Sequence, residues 1–303
     1  MTGMGKMLLA GAGAVLAVAG AVAMVPQRAP RGGGQADLLG GGLMAHIPPP
    51  PGTAIDRDVA YGADPAQKLD VYRPPHASGA PILIMVHGGG WSRGDKGNPG
   101  VVDNKVNHWL PKGFVLVSVD YRMIPQANPL EQANDVAKAL AFVQAHAKDW
   151  GGDAKRVVLM GHSAGAHLVA LLAAAPEIAT AQGAAPWIGT IALDSAAYDV
   201  PNIMQRQHLS LYDDAFGSDP QVWRATSPTL RLSAAPAPML LVCSTRRADS
   251  CPPAQDFAAK VQALHGRATV VPEDMTHAEI NRQLGVPSDY TAKVDAFLTS
   301  LDL

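Results

Sequence analysis

Ser163 sits in Gly161-His162-Ser163-Ala164-Gly165, a G-x-S-x-G pentapeptide within "RVVLMGHSAGAHLVALLAAA", residues 156–175. A serine hydroxyl attacks a carbonyl only when a base takes its proton and a third group orients that base. The setting suits such a nucleophile. An apolar run, "VVLM", precedes the pentapeptide and an Ala/Leu-rich helical stretch follows it. Ser163 is therefore expected on a tight strand-to-helix turn, with its hydroxyl exposed at the carboxyl end of the strand. An ordinary turn serine is the plainer alternative, but it needs neither the strand before nor the helix after.

In this arrangement an acid and then a histidine follow the nucleophile in sequence. Beyond the helix after Ser163 the histidines are His208, His265 and His277. His265 precedes Gly266 at a helix stop, and His208 lies in an irregular stretch. His277 follows the last strand, in "VVPEDMTHAEIN", on a loop that can reach back over the nucleophile, and is taken as the base. Asp249, just beyond the strand "PMLLVCS", is taken as the orienting acid. It is preferred over Asp274, only three residues before His277, and over Asp256 on the following helix. The plainer reading of Asp249 is a loop carboxylate held by Arg246 or Arg247.

Attack on a carbonyl creates an oxyanion that needs aimed N–H donors. The Ala164 amide, opening a helix, is one. The others must come from an early strand-to-helix loop, and "MVHGGGWSRGDKG", residues 85–97, is the candidate. Three bare glycines let a substrate approach the backbone. A merely flexible loop fits poorly with a strand that ends at His87. His87 and Trp91 are expected to brace this loop or line the substrate pocket.

These residues need a scaffold, and the chain alternates strands with helices from about Thr53 onward. "KLDVY", "PILIMVH", "FVLVSVD", "RVVLMG", "TIALD", "PMLLVCS" and "ATVVPE" read as strands. Val136, Leu140, Val143, Ala147 and Trp150 recur at helical spacing. Phe257, Val261 and Leu264 do so before Gly266, and Tyr290, Val294, Phe297 and Leu301 suggest a closing helix capped by Ser288. Continuous apolar strands between helices predict an α/β fold, a mostly parallel sheet covered on both faces. Residues 196–235 break the rhythm and read either as a small cap over the site or as a long surface connection.

The chain has 303 residues, a net charge of −2 and 5% aromatic residues. These values argue against nucleic acid and against an anionic membrane partner. Residues 1–25 carry Lys6 and then an apolar stretch from Met7 to Val25, with small residues at Ala21 and Ala23. They read as a signal peptide, or as an N-terminal membrane anchor if uncleaved. The expected location is periplasmic or secreted, or tethered to a membrane through this segment only. Residues 26–52 are a Gly/Pro-rich linker, leaving 53–303 as the catalytic domain. Cys243 and Cys251 are the only cysteines. Export would favour a disulfide between them. No cysteine or histidine cluster suggests a metal, and the oligomeric state is not legible.

Taken together, "KLDVYRP", "VHGGGWSRGDKG", "SVDYRMIP", Asp135-Val136 and "GHSAGAHLVALLA" make residues 53–303 resemble the α/β-hydrolase fold. Within it the chain is similar to small serine esterases with an HGGGW loop and a GHSAG elbow. That group includes feruloyl/acetyl-esterase-like proteins and kynurenine formamidases. The resemblance implies Ser163, Asp249 and His277 as a catalytic triad and Gly89, Gly90 and Ala164 as the oxyanion hole. It implies hydrolysis of a small-molecule carboxylic ester through an acyl-enzyme, with no metal or organic cofactor. The alternatives are a formamide or amide hydrolase using the same residues, and a non-catalytic binding protein of the same fold. Two features depart from the common pattern. The usual G-x-x-D spacing would put the acid at position 248, an alanine here, and the elbow continues as GHSAGAH rather than GxSAGG.

Overall fold

A computed structural model describes residue 1 and residues 45–303. The leader or anchor expected at 1–25 lies outside the described residues, Met1 apart, as does most of the 26–52 linker. The end of that linker is fastened to the body of the protein: the Ile47 amide donates to Asp103 Oδ2 at 2.6 Å, and His46 Nδ1 lies 3.0 Å from Asp103 Oδ1.

Eight strands form one sheet in the order β1-β2-β4-β3-β5-β6-β7-β8. They are β1 (Ala54–Ala60), β2 (Lys68–Arg73), β3 (Ala80–Val86), β4 (Val115–Val119), β5 (Gly152–His162), β6 (Gly189–Leu193), β7 (Met239–Ser244) and β8 (Ala268–Glu273). β1–β2 and β2–β4 pair antiparallel, and every other neighbouring pair is parallel. All seven apolar runs read from sequence are strands. The eighth, β1, escaped that reading because "AIDRDVA" carries three charges at a half-exposed sheet edge.

The alternation of side chains along each strand divides the core into two layers. In β3, Ile82, Ile84 and Val86 join the layer under α2 (Pro129–His146), α3 (Ala164–Ala174) and α9 (Cys251–Ala263). Leu83 and Met85 face the other layer, under α1 (Pro99–Trp109), α10 (His277–Arg282) and α11 (Asp289–Thr299). α2 starts at a capping box in which Asn128 and Glu131 bind each other's backbone amides. Its Val136, Leu140 and Val143 are fully buried, each contributing about 1.5–3 kcal/mol relative to exposure. Ser288 caps α11 by accepting from the Thr291 amide. α4 (Glu177–Ala181) precedes β6. Residues 196–235 contain four short helices, α5 (Val200–Met204), α6 (Ser210–Phe216), α7 (Pro220–Ala225) and α8 (Pro228–Arg231).

This topology brings the two motifs together. β3 and β5 are parallel neighbours, with Val86 paired to Gly161. The glycine loop after β3 and the elbow after β5 therefore leave the sheet side by side, at the carboxyl end where the strand order reverses. In open α/β sheets that crevice is where ligands bind.

Candidate active site

Ser163 occupies the turn between β5 and α3 with φ 56° and ψ −117°, a left-handed backbone that lifts its side chain off the sheet. Such a conformation costs on the order of 1–3 kcal/mol and persists only where neighbours enforce it. Two neighbours do. The Ser163 amide donates to Leu193 O at 2.9 Å, tying the turn to β6. Gly165 lies so close to β3 that a Cβ there would sit 2.2 Å from Val86 O.

The loop after β3 is held from both ends. Gly89 has φ +124°, and a Cβ on it would meet Arg93 O at 2.0 Å, so no side chain fits this bend. Further along, the Lys96 amide donates to Asp120 Oδ1 at 2.7 Å. Its Nζ lies 2.8 Å from Asp58 and 3.2 Å from Asp70. The charged half of the loop thus pins the glycine half to β1, β2 and the end of β4. Gly90 and Ala164 line a cleft of about 410 Å³, mouth included, together with Ser163, His277 and Trp91. The amides of Gly89, Gly90 and Ala164 donate to no group among the described residues. Gly89 sits one residue back, packed on Arg93 rather than in the cleft wall.

His277 is the first residue of α10, fixed by a capping box in which Thr276 and Glu279 bind each other's amides. Its ring is 2% exposed, lines the cleft with Ser163, and leaves Nε2 without a hydrogen-bond partner among the described residues. His162 packs against it, with ring centroids 4.5 Å apart, and its Nε2 lies 2.9 Å from His277 O. Burial holds His162 well below the ordinary imidazole range, and the neighbouring His277 adds to this. A neutral His162 can donate Nε2–H to that carbonyl and so fix the backbone of His277.

The carboxylate that meets His277 is not Asp249. Asp194, at the end of β6, places Oδ2 2.5 Å from His277 Nδ1. Asp249 instead pairs with Arg247 Nη2 at 3.3 Å, and its side chain is 43% exposed. It lies within the disulfide-closed turn but its side chain faces outward, which is the loop-carboxylate alternative held by Arg247. Asp194 has a left-handed backbone, φ 57°, and is fully buried. Oδ1 accepts from the Ser244 amide at 2.8 Å and from Ser250 Oγ. Oδ2 accepts from Arg247 Nη1 at 2.9 Å as well as facing His277. Burial alone would raise the carboxyl. The His277 hydrogen bond and the Arg247 charge outweigh it and hold Asp194 well below the usual carboxylate range.

Asp194 carried a sequence signal that went unused. It closes "TIALD" on the strand next to the nucleophile's, and 163, 194 and 277 also satisfy the order nucleophile, acid, base. The acids offered by sequence, Asp249, Asp256 and Asp274, all lie beyond the penultimate strand, which leaves Asp194 out.

Cys243 and Cys251 are bonded, with a sulfur–sulfur distance of 2.06 Å. The ring they close carries the Ser244 amide, Arg247 and Ser250, all of which touch Asp194.

Of the two roles expected for His87, the structure shows the brace and not the pocket lining. The residue is fully buried, stacked 4.5 Å from the Tyr121 ring, with Nδ1 2.8 Å from Gly88 O and Nε2 3.2 Å from Asp120. It therefore braces the loop from beneath and does not line the cleft, because its ring turns to Tyr121 and the Gly88 carbonyl. Trp91 does line the cleft, and its Nε1 donates to His167 Nδ1 at 3.2 Å. His167 Nε2 lies 2.7 Å from Thr226 O, and burial pushes the ring down to about 4, against the pull of that carbonyl. A neutral His167 relays Trp91 to the segment between α7 and α8. The departure from GxSAGG is thereby structural.

The sequence matches the BD-FAE family over residues 69–256. The chain belongs to the BD-FAE family. Among curated relatives it is 35% identical to the probable carboxylic ester hydrolase LipM of Mycobacterium tuberculosis, over 50% of this chain and 35% of LipM. It is 32% identical to the probable isoprenylcysteine alpha-carbonyl methylesterase ICMEL1 of Arabidopsis thaliana, over 38% of this chain and 24% of that protein. The match thus spans about a quarter to a third of these two relatives. Esterase B from Lactobacillus Rhamnosis superposes with a TM-score of 0.68 at 19% identity, covering 84% of this chain and 87% of that one. Thermogutta terrifontis esterase 2, phosphonylated by sarin, gives 0.68 at 21%, covering 85% and 98%. These likenesses establish the α/β-hydrolase fold for this member of the BD-FAE family.

Proposed function

We propose that this BD-FAE protein hydrolyses carboxylic esters through an acyl-enzyme, with Ser163 as nucleophile, His277 as base and Asp194 as orienting acid. The observation that carries the reading is the meeting, in one cleft, of a serine on a left-handed elbow and a histidine whose Nδ1 faces a buried carboxylate at 2.5 Å. With Nδ1–H donated to Asp194, Nε2 keeps its lone pair for the Ser163 proton. Ser163 Oγ then bonds to the ester carbonyl carbon, and the oxyanion takes N–H donors from Gly90 and Ala164, with Gly89 behind them. His277 Nε2–H passes its proton to the departing alkoxide. A water, deprotonated by the same nitrogen, releases the acid and restores Ser163.

Trp91, Leu211 and Tyr212 crowd the cleft beside Ser163, which favours a short acyl group. The names of the relatives, LipM and ICMEL1 among them, support an ester over an amide substrate. The proposed location is oxidising, periplasmic or secreted, or tethered to a membrane through the N-terminal segment, and the Cys243–Cys251 bond supports an oxidising compartment. A fluorophosphonate probe tests the proposal: the wild type should label and Ser163→Ala should not. A folded wild type that fails to label overturns it. A panel of acetyl, longer acyl, feruloyl and formamide substrates then ranks the acyl and amide alternatives.

A further inference from the structure

Arg247 occupies an unusual place for a cation. Its Nη1 lies 2.9 Å from Asp194 Oδ2 and 2.8 Å from His277 Nδ1, so these three atoms form a closed triangle. Its Nη2 reaches Asp249 at 3.3 Å, and the side chain is 14% exposed along the cleft wall. A guanidinium cannot accept a hydrogen bond. Its contact with Nδ1 is therefore compatible with the base-competent ring only as two donors converging on one carboxylate oxygen.

We infer that Arg247 is a positioning residue: its planar fork ties Asp194 to Asp249 and fixes the Asp194 carboxylate against His277. The inference rests on the reading of Ser163, His277 and Asp194 as the catalytic group. Two partners from the disulfide-closed turn, the Ser244 amide and Ser250 Oγ, hold Oδ1. Among the described residues, Arg247 and His277 alone hold Oδ2. Removing the guanidinium leaves Oδ2 with a single partner and lets the carboxylate rotate away from Nδ1. Asp249 enters through Arg247. Its carboxylate lies on the far side of the guanidinium from His277 and fixes the direction of the fork. The same residues predict what a substitute can do. A lysine supplies one charge without the planar fork, so it can reach Asp194 or Asp249 but not both in the same plane.

The test is steady-state hydrolysis of p-nitrophenyl acetate by the full chain. Arg247→Ala should lower kcat about 10- to 100-fold, the range for losing one charge-assisted hydrogen bond, with KM nearly unchanged. Because the site opens on the cleft, millimolar guanidinium should restore part of that kcat, and Arg247→Lys should retain more of it than Arg247→Ala. Asp249→Asn should lower kcat less, and should add nothing in the Arg247→Ala background. Unchanged kcat in Arg247→Ala, a change confined to KM, no rescue by guanidinium, or full additivity with Asp249→Asn would each overturn the inference. If Arg247→Ala does not fold, as judged by thermal melting, Arg247→Lys and Asp249→Asn decide: wild-type kcat in both overturns it. A folded wild type that neither labels with fluorophosphonate nor turns over defeats the esterase reading itself. Labelling and turnover with an indifferent Arg247 defeat only this inference.

Discussion

The turns after β6 and β7 each present an aspartate to the same end of the sheet, and they treat it in opposite ways. Asp194 follows β6 directly and is fully buried, with both oxygens occupied. Asp249 stands five residues beyond the end of β7, with its side chain 43% exposed and paired with Arg247. The strand end is rigid because the sheet sets its direction; the longer turn must be closed by a disulfide and spends its groups on its neighbour. The β7 turn acts as the cradle, and the β6 turn supplies the carboxylate.

The sharpest way to break this comparison is to neutralise each carboxylate. Asp194→Asn should lower kcat by about 10³- to 10⁴-fold, as when a histidine loses the anion that fixes its tautomer. Asp249→Asn should cost less than about tenfold, in line with loss of one partly exposed ion pair. Kinetics with a chromogenic acetate ester measure both, and the reverse ranking would reinstate Asp249 as the acid.

Opening the cradle is the next largest change. Replacing both Cys243 and Cys251 by alanine removes a bridge across eight residues of sequence, worth about 2–3 kcal/mol on loop-closure arguments. Chemical denaturation should report that loss, and kcat should fall with it because three groups of the ring touch Asp194. Unchanged kcat in a destabilised variant would mean that the ring stabilises the fold without orienting the acid.

Ser250→Ala takes one donor from Asp194 Oδ1 and leaves the Ser244 amide in place. A hydrogen bond to a charged group contributes about 1.5–3 kcal/mol, and with the Ser244 amide still holding Oδ1 a loss of roughly tenfold in kcat, the lower end of that range, is expected. The stability profile carries a matching sign. The Asp194 carboxyl is depressed in the folded protein, so its contribution is present above the unfolded value near pH 4 and is lost as pH falls toward the folded value. Ser250→Ala should therefore begin acid unfolding at a higher pH than the wild type.

The smallest effect lies beneath the site. Lys105 on α1 is buried and donates to Asn281 O at 2.7 Å and Oδ1 at 2.9 Å, bracing the helix that carries His277. Burial pushes the Lys105 ammonium down to about 7, only partly opposed by Asp103. Between that value and about 10.5 the unfolded chain binds more protons than the folded one, so stability rises with pH across this window. Lys105→Met should flatten the rise, as read by urea unfolding at pH 7 and pH 9.5. An unchanged slope would assign the pH dependence elsewhere.

Local chemistry was legible in the sequence. Ser163 announces itself because the strand, the small residues and the helix that build its turn are contiguous in the chain. His277 follows from its place after the last strand, and the apolar runs determine seven of the eight strands. Asp194 was decided by tertiary structure. A carboxylate becomes the partner of His277 only when β6 lies beside β5, its backbone turns left-handed, and the β7 turn arrives with donors for the second oxygen. The same holds for His87: its type allowed a brace or a pocket residue, and the Tyr121 stack and Gly88 carbonyl decide for the brace. Residues that act through neighbours in the chain can be read from its order, whereas those that act across parallel strands depend on a register and a side-chain direction that only packing sets.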